Sequence, residues 1–167
     1  MATANFPVIL AGTVITASLL AQVEPNTVIK PSDQSVTSST TLVNDSALAA
    51  AVGANATYIF AMFIDYEGIA STGDLKFGWT VPASTTMKYI IIGNTTGGAA
   101  QNGHGTQAST PSQGGGGAGV GEGTLLFGTI NTASAAGTVQ FQWAQNTSNA
   151  TATKVHAGSA LILWEVS

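Results

Sequence analysis

From residue 35 onward the chain repeats one pattern: short runs with apolar residues at every second position, broken by Gly, Asn, Ser and Pro. A period of two puts alternate side chains on opposite faces of a strand, and the breakers put turns between strands. Residues 58–66 (YIFAMFIDY) carry the strongest form. Tyr58, Phe60, Met62, Ile64 and Tyr66 share one face, and Ile59, Ala61, Phe63 and Asp65 the other. Both faces are largely apolar, so this strand is expected to be covered on both sides. Residues 74–80 turn Leu75, Phe77 and Trp79 toward a core. Residues 139–144 do the same with Val139, Phe141 and Trp143. Further strands are expected at 35–43, 87–92, 124–130 and 160–166, the last containing Trp164. Residues 44–46 and 53–55 read as turns, and 47–52 as a short strand or a helical turn. About eight strands result, which predicts an all-β, jelly-roll-like antiparallel β-sandwich rather than a βαβ fold. No fixed-period repeat is present, which argues against a solenoid or propeller.

Two stretches escape the pattern. Residues 93–123 hold 12 glycines and read as one long loop, either a surface excursion or a segment that orders on a neighbouring subunit. A phosphate cradle does not fit, because the run lacks a GKS or GKT ending and no helix follows. The other stretch is 1–31, an apolar arm ahead of a sandwich domain at 32–167. Its first cation is Lys30, so it lacks the basic start of a signal peptide. Pro7, Thr13, Thr16 and Ser18 interrupt it, so it falls short of a membrane span. The expected form is an extended piece at 8–10, then one or two helical turns capped by Thr16 with Leu19, Leu20 and Val23 as their stripe. Pro25 and Pro31 then end regular structure. Phe6, Val8, Ile9, Leu10, Val14, Ile15, Leu19, Leu20 and Val23 need a surface. Either the body of this chain or a partner subunit can supply it.

Charge narrows the function. There are 4 Lys, no Arg and 8 Asp plus Glu, so 7% of residues are charged, against about 25% in an average soluble protein. A nucleic-acid partner would need a basic face, and a peripheral membrane anchor a basic cluster; neither is present. Disorder is excluded by 44% hydrophobic residues and a mean hydropathy of +0.29. With no Cys there is no thiolate chemistry. His104 and His156 have no metal-spaced partners, so no metal or other cofactor is expected. Asp65 and Glu67, two apart, read as a solvated strand end rather than a catalytic pair. No G-x-S-x-G elbow occurs. The reading is a structural or binding protein, not an enzyme.

Two segments carry a family resemblance. Residues 32–42 (SDQSVTSSTTL), followed by 54–58 (ANATY), form the first. Residues 137–148 (GTVQFQWAQNTS), continuing as NATAT and then VHAGS, form the second. Together they resemble a module of virion structural proteins in tailed phages of actinobacteria, which serve variously as minor tail, head-fibre or capsid-decoration proteins. The match runs from about residue 32 to the C-terminus and omits the glycine-rich part. The resemblance implies a jelly-roll sandwich, often trimeric, located in the virion at the capsid or tail surface, with no catalytic residue. The expected function is that of a non-enzymatic, trimeric capsid decoration protein that stabilises the shell. The expected partners are two more copies and the major capsid protein or another virion protein. The alternative is a minor tail or fibre protein contributing to host-surface glycan binding. Phe77, Trp79, Phe141, Trp143 and Trp164 are the candidate core or trimer-interface aromatics.

Overall fold

The computed structural model describes residues 10–17, 24–69, 74–95 and 98–166. Through the described residues run β1 (Asn26–Ile29), β2 (Gln34–Val36), β3 (Val43–Val52), β4 (Thr57–Glu67), β5 (Leu75–Thr80) and β6 (Thr86–Asn94). They are followed by β7 (Ala100–Thr106), β8 (Ser112–Gln113), β9 (Gly121–Asn131), β10 (Gly137–Gln145), β11 (Thr153–Val155) and β12 (Ala160–Glu165). The larger sheet has the order β1-β12-β4-β9-β6-β7, with β11 against β4 and β2 against β11. The smaller sheet has the order β3-β10-β5-β8. The pairing is antiparallel throughout. Setting aside the β6–β7 hairpin and the short β2 and β11, four strands of each sheet remain. The chain crosses between the sheets at nearly every connection among these eight, which is the jelly-roll form of the β-sandwich.

The core lies where the alternating rows meet. Tyr58, Phe60, Met62, Ile64 and Tyr66 of β4 face inward. So do Leu75, Phe77 and Trp79 of β5 and Val139, Phe141 and Trp143 of β10. Phe60 meets Trp79 edge to face across the two sheets, with ring centroids 5.7 Å apart. Within the smaller sheet, Trp79 meets its register partner Phe141 edge to face at 5.3 Å. Each such pair adds roughly 0.5–1.5 kcal/mol to the burial of the rings. Trp164, in contrast, points away from this core, on the outer face of the larger sheet.

Several expectations change. The sandwich begins at Asn26, not at 32: β1 pairs with β12 from Asn26↔Leu163 to Ile29↔Ala160, between the two prolines expected to end regular structure. Four residues are too few to display a period, and pairing is decided by the backbone of β12. Residues 44–46 are not a turn, and of the two forms read for 47–52 the strand is the one formed; both belong to β3, whose pairing with β10 slips between Gln140 and Gln142. The Asp45 carboxylate caps the amides of Ala47 and Leu48 inside this irregularity, and Gln140 Nε2 donates to the carbonyls of Asp45 and Leu48. Of the strand expected at 35–43, only β2 and Val43 are extended in sheets.

The glycine-rich 93–123 is not one loop. It holds the end of β6, all of β7 and β8 and the start of β9. Its glycines give strand backbone without side-chain alternation, which hid the strands. Gly105 of β7 lies under the ring of Tyr89, so any side chain there would overlap the phenol. Residues 114–120 lie on the end of the sandwich. The Tyr66 hydroxyl donates to the Gly114 carbonyl, Gly115 N–H donates to Asp74 and Gly117 N–H to the Gly68 carbonyl. Burial pushes the Tyr66 phenol up to about 12.

Candidate functional site

The outer face of the larger sheet carries a broad apolar surface. Its geometry follows from strand register. One cross-strand row reads Ile29–Ala160–Phe63–Leu125–Ile92 across β1, β12, β4, β9 and β6. The next reads Thr27–Ile162–Ala61–Phe127–Ile90 and ends at His104 of β7. A third reads Trp164–Ile59–Thr129–Lys88. Seven large apolar members of these rows are exposed, from Trp164 at 36% to Ile29 at 63%, while Ile59 and Ile162 are half-buried between them. The expectation that the strand at 58–66 is covered on both sides therefore meets an outer side that none of the described residues covers. Lys88 and His104 lie at the β6–β7 end, and these three rows contain no carboxylate.

This face is the unusual part of the molecule. Seven large side chains, each at least a third exposed, present on the order of 600 Å² of apolar surface, taking about 200 Å² for one such side chain in water. Monomeric proteins rarely leave more than a few hundred Å² of contiguous apolar surface in water. Near the β6–β7 end the face dips into a groove of about 440 Å³, lined by Lys88, Ile90, His104, Thr106 and Phe127 with the strand segments at Tyr89 and Gly105.

The ion pairs among the described residues lie elsewhere and hold structure together. Lys30 and Asp45 form a wholly buried ion pair between the sheets. At the end of β4, Glu67 Oε1 lies 2.6 Å from the Lys154 ammonium, and its other oxygen accepts the Gly119 amide. The Lys154 interaction comes first in holding the Glu67 carboxyl below the usual carboxylate range. His156 Nδ1 lies 3.4 Å from Asp33, whose carboxyl the Ala157 amide and His156 hold low. Glu67 is thus buried and paired rather than a solvated strand end, while Asp65 stands on the outer face of β4. No group of three or more His, Asp or Glu suited to a metal ion occurs among the described residues.

Of the aromatic candidates, Phe77, Trp79, Phe141 and Trp143 come together in the core, and Trp164 joins the outer face. Of the arm candidates, Leu10, Val14 and Ile15 are each more than half exposed. Phe6, Val8, Ile9, Leu19, Leu20 and Val23 lie outside the described residues. Sequence reasoning missed the outer face as a surface, although its signal was present in the second apolar parity of 58–66, 87–92 and 124–130.

No protein-family model matches the chain, and no curated protein does. Among solved structures it is similar to the tripod (BppUct-A-L) from the baseplate of bacteriophage Tuc2009. That match has 12% identity and a TM-score of 0.36, and it covers 98% of this chain and 76% of that one. It is also similar to a structure of infectious bursal disease virus Gx strain. There the identity is 10% and the TM-score 0.36, with 84% of this chain and 33% of that one covered.

Proposed function

We propose that this protein is a non-enzymatic virion structural protein, a homotrimer that decorates the capsid surface and stabilises the shell. The observation that carries the reading is the uncovered apolar face of the larger sheet. Its area approaches the roughly 800 Å² per partner of a standard protein interface. Its three apolar rows hold no carboxylate, Asp65 standing beyond them on β4, and they lack the basic stripe that nucleic acid would need. Copies packed through this face would bury it, and a low surface charge suits close packing of many such oligomers. The sequence resemblance supports placement in the virion. The apolar residues ahead of Asn26 supply the contact to the shell, with Leu10, Val14 and Ile15 available to a partner.

Light scattering of the purified protein at micromolar concentration, paired with co-sedimentation on shells lacking it, tests this. A trimer that pellets with shells is expected. A folded monomer that stays in the supernatant overturns the reading. Retention on a host-polysaccharide column without pelleting would replace it with the fibre role.

A further inference from the structure

Trp164 and Lys88 stand at opposite ends of one cross-strand row, Trp164–Ile59–Thr129–Lys88, on the outer face. Three inter-strand steps of about 4.8 Å separate them by ~14 Å. The two ends differ in shape and chemistry. At one end is the largest side chain of the face, an indole 36% exposed. At the other is the groove of about 440 Å³, with Ile90 and Phe127 as apolar walls and Lys88 and His104 as its nitrogen-bearing members. Lys88 belongs to no ion pair among the described residues. A flat, apolar ring with an electron-rich face complements such a groove: the walls cover the ring, and the ammonium lies against its face. Both features sit on strands of one hydrogen-bonded sheet, so a chain cannot bring its own Trp164 to its own groove.

We infer that Trp164 of one copy seats in the Lys88–His104–Phe127 groove of the next copy. This rests on the oligomer proposed above and specifies its geometry. In the proposed trimer each copy gives its Trp164 to one neighbour and its groove to the other, a head-to-tail contact that closes into a ring when the rotation between copies allows. Three such contacts cover the apolar face of every copy. A twofold contact through the same patch would instead seat the two Trp164 rings reciprocally, one in each groove, and would give a dimer by light scattering in place of a ring.

The chain has no Cys, so engineered thiols report without background. Co-expressed W164C and H104C chains, mildly oxidised, are expected to give a mixed disulfide in excess of either self-linked product. Because W164C removes the protruding ring, the cysteine-free protein supplies a second readout. Trp79 and Trp143 are buried, so iodide quenching reports Trp164. Trp164 is expected to be shielded in the oligomer and to become quenchable in F127D, where an exposed groove residue is charged. The interlock is overturned if W164C links as readily to itself as to H104C. It is also overturned if Trp164 quenches equally in the oligomeric parent and in F127D. A parent that is monomeric by light scattering removes the oligomer and the interlock together, whereas an oligomer with freely quenched Trp164 removes the interlock alone.

Discussion

The ammonium of Lys30 meets both carboxylate oxygens of Asp45, at 3.0 and 2.9 Å, with both side chains wholly out of water. Lys30 follows β1 of the larger sheet and Asp45 belongs to β3 of the smaller, so the pair ties the two layers. Gln34 and Ser46 accept from the same ammonium at 3.3 and 3.0 Å. Asp45 also accepts from the amides of Ala47 and Leu48 and from Trp143 Nε1. A buried pair offsets its desolvation only when its polar atoms are satisfied in this way, and removing one partner strands the other. Lys30→Ala is expected to destabilise the protein by about 3–5 kcal/mol. Urea denaturation checks it, and a loss below about 1 kcal/mol would mean that Asp45 finds water or protonates.

The same pair decides how an arm deletion must be made. Removing residues 1–23 leaves β1 and Lys30 in place, and a folded body that no longer pellets with shells is expected. Removing 1–31 takes away the β1 partner of β12 and the Lys30 ammonium, and this form is expected to unfold. Circular dichroism separates the two, and co-sedimentation of the shorter deletion tests the arm as anchor. Unchanged pelleting would move the anchor elsewhere in the body.

Trp143 is wholly buried, and its indole N–H reaches Asp45 at 3.1 Å. Trp143→Ala is expected to cost about 3–5 kcal/mol, from lost burial and the cavity left behind. Trp143→Phe keeps most of the volume and loses the donor, so its cost should be smaller. Equal urea midpoints for Trp143→Ala and the parent would contradict the packing described.

Gly128 of β9 packs so closely on β6 that a Cβ there would overlap the Lys88 carbonyl and the Tyr89 Cα. Backbone cannot rotate out of the way as a side chain can. Gly128→Ala is therefore expected to be destabilising by about 1–3 kcal/mol, the range for overpacking. It should also raise amide exchange along the β6–β9 pairing, measured by hydrogen exchange. A neutral Gly128→Ala would show that the β6–β7 hairpin shifts freely.

Acid should weaken the end of the sandwich at β4. Lys154 first, then His156 and the Gly119 amide, hold the Glu67 carboxyl low against its burial; the Ala157 amide and then His156 hold Asp33 low. A group whose folded value is depressed supplies stability above its unfolded value and loses it as pH falls through the folded one. The loss therefore begins as pH drops below the unfolded values, 4.5 for Glu67 and 3.8 for Asp33. Lys154 works in the opposite sense: Glu67 raises it, so its contribution is full below 10.5 and is lost as pH climbs through the raised value. Lys154→Met is expected to flatten the acid limb of a plot of urea midpoint against pH. An unchanged limb would show that Glu67 is not coupled to stability.

The legible part of the fold is the part with a clean period. In β4, β5 and β10 apolar and polar positions alternate, or one parity is plainly the larger, and their inward rows form the core. The scarcity of charge, which argues against a nucleic-acid partner, was likewise legible without any structure. Three things were not legible. β1 is only four residues long, and β7 reads AQNGHGT, so neither has an apolar row; both exist because a neighbour's backbone pairs with them. Lys30 and Asp45 are 15 residues apart, and nothing local says that they meet. Trp164 sits in ALILWE, where both parities are apolar, so its side is set by pairing with Ile59.

The sequence by itself determined the all-β class, the inward rows of the principal strands and the poverty of charge, because each depends on neighbours along the chain. Only the tertiary structure decided that Lys30 finds Asp45, that the glycine-rich stretch is partly sheet and that the second apolar rows join into one uncovered face. Those outcomes depend on register between distant strands, and a shift of one residue would turn every side chain to the opposite face.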